Sequence, residues 1–166
     1  ADLLGVQLVS LEELLAESDY VSIHTSLTTE TRHLINEKTL KLMKPTAMLV
    51  NTSRGPVIDG QALFCALQEK TIEAAALDVT EVEPIESADP LLSLSNVIVT
   101  PHLAGFSPTF LNECPIRQAE NVIRVLTGSA PWGLANPEAI KTIAIMRNRE
   151  DLRWKDIPDF KTSINL

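Results

Sequence analysis

Short apolar runs separated by helical patterns constrain this chain more than any other feature. Residues 47–50 (AMLV), 74–79 (AAALDV) and 97–100 (VIVT) are continuous and apolar, without alternation. Such runs suit strands buried on both faces of a parallel sheet. A fourth run, residues 20–24 (YVSIH), is short and rich in β-formers. Between and before them lie segments of a different period. Residues 11–18 (LEELLAES) place Leu11, Leu14 and Leu15 on one face, with Ser10 as cap and Glu13 completing a capping box. Residues 36–43 (NEKTLKLM) put Leu40 and Met43 together before Pro45 stops the helix, and residues 59–69 (DGQALFCALQE) start at an Asp59 cap. Strands alternating with helices predict an α/β fold with a parallel sheet. Beyond it, residues 107–126 are helical, with Gly128 capping their end. Residues 137–146 fit a further helix, and 147–166 are charged and irregular.

A chain of 166 residues with 45% hydrophobic content builds one ordinary core. The net charge of −8 argues against nucleic-acid or anionic-membrane partners, which require clustered Lys and Arg. Cys65 and Cys114 show no CxxC spacing, so neither a disulfide framework nor a metal site is expected and a reducing cytoplasm fits. No apolar run reaches the roughly 18 residues of a membrane helix, and no signal-peptide pattern opens the chain. A start at Ala1 rather than Met hints at processing or a fragment.

Open parallel sheets bind ligands beyond the carboxyl ends of their strands. Those positions hold residues 24–27 (HTSL), 51–55 (NTSRG), 78–84 (DVTEVEP) and 101–105 (PHLAG). An arginine, acids and a histidine are thus among the residues on one edge. The set suits reduction of a 2-keto acid. The Arg54 guanidinium can hold a carboxylate by paired hydrogen bonds and polarise the adjacent keto oxygen. His102 can deliver the proton, since imidazoles as a class titrate near neutrality. Glu83 can orient that imidazole and stabilise its charged form. Hydride chemistry requires a bound nicotinamide. Taken singly, each has a plainer reading: Arg54 as a surface or capping residue, Glu83 as a solvated loop acid, His102 as a structural histidine. Their joint placement after three different strands raises the functional reading above these.

The segments HTSLTTETRHLI, LVNTSRGPVIDGQAL, AALDVTEVEP and NVIVTPHLAG closely resemble the D-isomer-specific 2-hydroxyacid dehydrogenases, in order and with the family's spacing, over about residues 1–126. The resemblance implies a Rossmann-like, doubly wound sheet. It also implies Arg54, Glu83 and His102 as catalytic residues, and NAD or NADP as cofactor, with NAD favoured. Thr25, Ser26, Thr52, Ser53, Arg54, Asp78, His102, Ala104 and Gly105 would line the cofactor, Asp78 at its nicotinamide end. The implied substrate is a small 2-hydroxy or 2-keto acid, and the intact parent is expected to be a homodimer. A sensor or corepressor-like NAD(H)-binding protein on the same scaffold is the alternative. Three positions depart from the family pattern: Ser26 replaces a usual Pro, Gly60 a common acid and Thr80 a common aromatic. His24 reads as a structural strand-end residue and His33, beside Arg32, as a surface one.

No GxGxxG occurs among the six glycines, so the loop that binds a dinucleotide's pyrophosphate is missing from this sequence. The expected fold is therefore a partial sheet lacking its first two strands, with residues 1–130 as the C-terminal part of a dinucleotide-binding domain and 131–166 as a return segment or tail. In the family order 3-2-1-4-5-6, taking YVSIH as the third strand leaves a gap where strands one and two would join it to the rest. Exposed strand edges would then make the isolated chain unstable and inactive.

Overall fold

A computed structural model describes residues 5–127 and 129–139. The chain divides into two compact units after Gly105. The first holds helix α1 (Leu11–Glu17), strand β1 (Tyr20–Ile23), helix α2 (Glu37–Leu40), strand β2 (Met48–Asn51), helix α3 (Gly60–Gln68), and strands β3 (Ala74–Leu77) and β4 (Val97–Val99). All four strands are parallel, in the order β1-β2-β3-β4. This is the α/β arrangement with a parallel sheet that the alternating runs predict, and the Rossmann-like one that the family resemblance implies.

The order corrects one expectation. Tyr20 to Ile23 of β1 pair directly with Met48 to Asn51 of β2, so no gap separates the YVSIH strand from the later ones. YVSIH is the immediate neighbour of AMLV and cannot be the family's third strand. Its backbone groups find their ladder partners there, as buried backbone groups must.

The pairing register is flush: Ile23, Asn51, Leu77 and Val99 lie side by side at the carboxyl end. It also sorts the side chains. Val21, Ile23, Leu49, Ala75 and Leu77 face Leu15 of α1, Leu40 of α2 and Leu63 and Leu67 of α3 in one buried cluster. Each fully buried leucine or isoleucine contributes roughly 1.5–3 kcal/mol. The alternate residues form the opposite face, where Tyr20 is 73% and Ile98 67% exposed.

Local chemistry sets the element ends. Ser10 Oγ accepts the Glu13 amide at 3.1 Å, the first half of the expected capping box, and Ser18 closes α1. Asn36 and Thr39 cap one another at the start of α2. That helix is shorter than the 36–43 pattern predicts, because Leu42 and Met43 bond back three residues rather than four. The tightened turn leads into β2, and Lys44 Nζ there donates to the Glu17 carbonyl and to Asp19. Asp59 caps α3 through the Ala62 amide.

The second unit begins with helix α4 (Pro108–Leu126), capped by Ser107 on the Phe110 amide, with Pro108 in its first turn. Asn121 and the Trp132 backbone exchange two hydrogen bonds. Arg124 donates to the Ala130 carbonyl and lies over the Trp132 ring. The predicted Gly128 cap, residues 140–146 of the further helix and the 147–166 tail lie outside the described residues. Among the described residues no helix is long and apolar enough to cross a membrane.

Candidate active site

Every candidate residue lies on the carboxyl-end rim of the sheet, within the first unit. Thr25 and Ser26 follow β1, Thr52 to Arg54 follow β2, Asp78 and Glu83 follow β3, and His102, Ala104 and Gly105 follow β4.

Glu83 and His102 are brought into contact. Glu83 Oε2 lies 3.0 Å from His102 Nδ1, while Glu83 Oε1 accepts the Thr80 amide at 3.1 Å. The carboxylate is thereby held at both oxygens. His102 has a left-handed backbone, φ 55°, and its N–H reaches the carbonyls of Asp78 and Thr100. Few non-glycine residues adopt this conformation, although His does so more readily than most. Among the described residues the imidazole Nε2 has no hydrogen-bond partner. Beside the pair opens a cavity of about 510 Å³, lined by Pro84, Ile85, Leu92 and Val99 as well as Glu83 and His102.

Asp78 is 6% exposed and serves this turn. Its Oδ1 accepts the Thr100 hydroxyl at 2.5 Å and the Leu103 amide at 2.8 Å, and its Oδ2 accepts the Ala104 amide at 2.8 Å. Burial pushes its carboxyl up, but the hydrogen bonds from Thr100, Ala104 and Leu103, together with the nearby His102 imidazole, outweigh it. The group is held below the ordinary carboxylate range. The carboxylate thus fastens the loop that carries His102, and the Ala104 amide is committed to it. Gly105 has a negative φ and open space where a Cβ would stand, so no steric need explains a glycine there.

Arg54 is not in contact with Glu83 or His102. Its Nη1 donates to the Ser53 carbonyl at 2.7 Å, leaving Nε and Nη2 without a partner among the described residues. Asn51 prepares that position. It is 0% exposed, donates to the Arg54 carbonyl at 3.0 Å, and accepts both the Ser53 amide and hydroxyl. Thr52 is exposed beside it. After β1, Thr31 donates to the Ser26 carbonyl at 2.6 Å, and Thr25 Oγ1 to the same carbonyl at 3.3 Å, so this turn is tied without the usual proline.

Sequence reasoning passed over three residues. Asn51 and Thr100 each end an apolar run and resemble loop polar residues, although a polar residue closing a buried strand signals a side chain with assigned partners. Glu81 resembles a solvated loop acid like its neighbours. His33, expected at the surface, is half-buried with Nε2 2.7 Å from Glu81 Oε1. His24 bonds Ser22 at the strand end, as a structural residue would. Both cysteines are free, and no cluster of metal-ligating residues occurs among the described residues.

Residues 1–104 match the family model described as D-isomer specific 2-hydroxyacid dehydrogenase, NAD binding domain. A glyoxylate reductase of Korarchaeum cryptofilum is 51% identical over 138 residues, covering 83% of this chain and 42% of that protein. Among solved structures, the Thermus thermophilus protein TT0316 is similar with a TM-score of 0.71 and 43% identity, over 75% of this chain and 40% of the other. A D-isomer specific 2-hydroxyacid dehydrogenase from Xanthobacter autotrophicus Py2, in complex with NADPH and MES, is similar with a TM-score of 0.62 and 38% identity, over 78% and 52%. The chain therefore spans about two fifths of the curated relative it matches. On this match over 104 continuous residues, the chain belongs to the D-isomer specific 2-hydroxyacid dehydrogenase family, within its NAD binding domain.

Proposed function

We propose that this chain supplies the nicotinamide end and the proton-transfer residues of an NAD(P)-dependent oxidoreductase acting on a small 2-keto or 2-hydroxy acid. The observation that carries the reading is the Glu83–His102 contact at 3.0 Å, which leaves Nε2 at the rim without a hydrogen-bond partner among the described residues. With Nδ1–H donated to Glu83, Nε2 is the atom that gives a proton to a keto oxygen, or takes one from a hydroxyl in the reverse direction. Glu83 stabilises the imidazolium and holds its orientation, as the acid does in other His–carboxylate pairs. Arg54 presents Nε and Nη2 as a planar fork for the substrate carboxylate.

The rim fits one part of the cofactor and not the rest. Half-buried Thr25 and exposed Ser26 and Thr52, all hydroxyl-bearing, together with backbone carbonyls, suit an amide-bearing ring. No glycine-rich loop exists in the sequence to hold phosphates. Thr25, Ser26, Thr52, Ser53, Arg54, Asp78, His102, Ala104 and Gly105 are the proposed cofactor-lining set, with Asp78 acting through the loop it fastens. The nicotinamide, when bound, supplies the hydride. The Korarchaeum relative is named a glyoxylate reductase, the Xanthobacter neighbour holds NADPH and the family model is that of an NAD binding domain, which together support a small keto acid with either dinucleotide. Residues 1–130 are taken as part of the dinucleotide-binding domain and 131–166 as a return segment. The free thiols and the net charge of −8 support a cytoplasmic protein without nucleic-acid or membrane partners, and the homodimer is carried over from the family resemblance.

The test is NADH or NADPH oxidation by the full protein carrying this chain, with glyoxylate and hydroxypyruvate, beside its His102→Asn variant. Turnover lost in the variant supports the proposal. Saturable NADH binding with no turnover in the unmutated protein replaces it with the sensor.

A further inference from the structure

We propose that Glu81 is a positioning residue that sets the separation between Arg54 and the Glu83–His102 pair; this rests on the proposed catalytic roles of those three residues. Glu81 is exposed in part, yet its carboxylate joins three segments. Oε1 meets His33 Nε2 at 2.7 Å and Arg32 Nη2 at 3.6 Å, and Oε2 accepts the Gly60 amide at 3.1 Å.

These contacts close a ring. The His33 amide donates to the Pro56 carbonyl at 2.9 Å, two residues beyond Arg54. Gly55, immediately after Arg54, lies against the Thr80 carbonyl so tightly that a Cβ would stand 1.8 Å from its oxygen. Running from Gly55 through Pro56, His33, Glu81 and Thr80 back to Gly55, the ring places Arg54 at one exit and Glu83 at the other. An isolated surface pair such as Arg32 with Glu81 contributes little by itself. Closure matters more, because it removes the relative freedom of two loops that otherwise share no side-chain bond.

The same geometry accounts for Gly60. The Glu81 carboxylate stands at the α3 amino end where an acid on the helix would stand, and a Cβ at residue 60 would lie 3.2 Å from Glu81 Oε2. An acidic residue 60 and Glu81 would repel one another, so this chain supplies the favourable charge from the neighbouring loop instead.

The experiment uses the full protein with Glu81→Gln, and with Gly60→Asp added to it. Misplacement of the two loops is expected to lower kcat on the keto acid by about tenfold or more, with the KM for NADH within about twofold. Gly60→Asp restores a carboxylate at the helix end and so recovers thermal stability in the double variant, but not kcat. In ¹⁵N-histidine-labelled protein, the downfield His102 Nδ1 proton held to Glu83 exchanges faster with water in Glu81→Gln. That signal needs no turnover, so an inactive unmutated protein sinks the functional reading while the signal still decides this one. An unchanged proton signal, or a kcat that recovers together with stability, overturns the proposal. If Glu81→Gln does not fold, His33→Asn opens the ring at its other side while tolerating the left-handed backbone (φ 52°), with the same expected signal.

Discussion

Glu83 grips His102 through one oxygen while its other oxygen is anchored on the Thr80 amide, so the imidazole is oriented by a carboxylate that is itself oriented. His102→Asn removes the proposed proton donor yet suits the left-handed backbone, since Asn adopts that region readily. We expect kcat to fall by about 10²–10⁴-fold with little change in melting temperature. Steady-state kinetics beside a thermal melt would check both.

Arg54→Lys keeps the charge and loses the planar fork. The loss of one charge-assisted hydrogen bond, worth about 1.5–3 kcal/mol, lowers kcat/KM for the keto acid roughly tenfold to a hundredfold. Because Arg54 is exposed, urea midpoints should move by less than about 0.5 kcal/mol equivalent.

Asp78→Asn retains one acceptor and turns an amide N–H toward a backbone N–H of Leu103 or Ala104. The expected cost is about 1–3 kcal/mol, measured by urea unfolding near neutral pH. The pH dependence has a definite sign. The native carboxyl is held below the ordinary range, so the unfolded chain protonates first, near pH 4. The stability that Asp78 contributes is fully present above that value and is lost as pH falls through the native one. Unfolding curves of the wild-type and variant proteins should converge as the medium is acidified, and a constant gap would contradict the assignment.

Gly55→Ala drives a methyl group into the Thr80 carbonyl, a backbone atom that cannot rotate aside. Overpacking usually costs about 1–3 kcal/mol, and this contact should reach or exceed the upper figure. A variant with an unchanged denaturation midpoint would show that the two loops lie further apart.

The elements were legible because their periods differ: unbroken apolar runs mark β2, β3 and β4, and three- and four-residue spacing marks α1, α3 and α4. Strand order was not legible. The YVSIH run has the same composition whether its neighbour is AMLV or another strand, and only the hydrogen-bonded register with residues 48–51 decides it. The rim residues were readable from their place after each run. Their connections were not, since the partners of Asn51, Asp78 and Glu81 depend on backbone angles and close approaches such as φ 55° at His102 and the Gly55–Thr80 contact.

The flush register of the four strands acts as a ruler. With neighbouring strands about 4.8 Å apart, the ends of β2 and β4, from which Arg54 and His102 spring, are roughly 10 Å apart with β3 between them. Two side chains bridging that interval from opposite ends leave room for a ligand only a few atoms long. The Asp78 side chain, rooted in the middle, is committed to Thr100, Leu103 and Ala104. Strand spacing thus limits the length of molecule that both residues can touch at once.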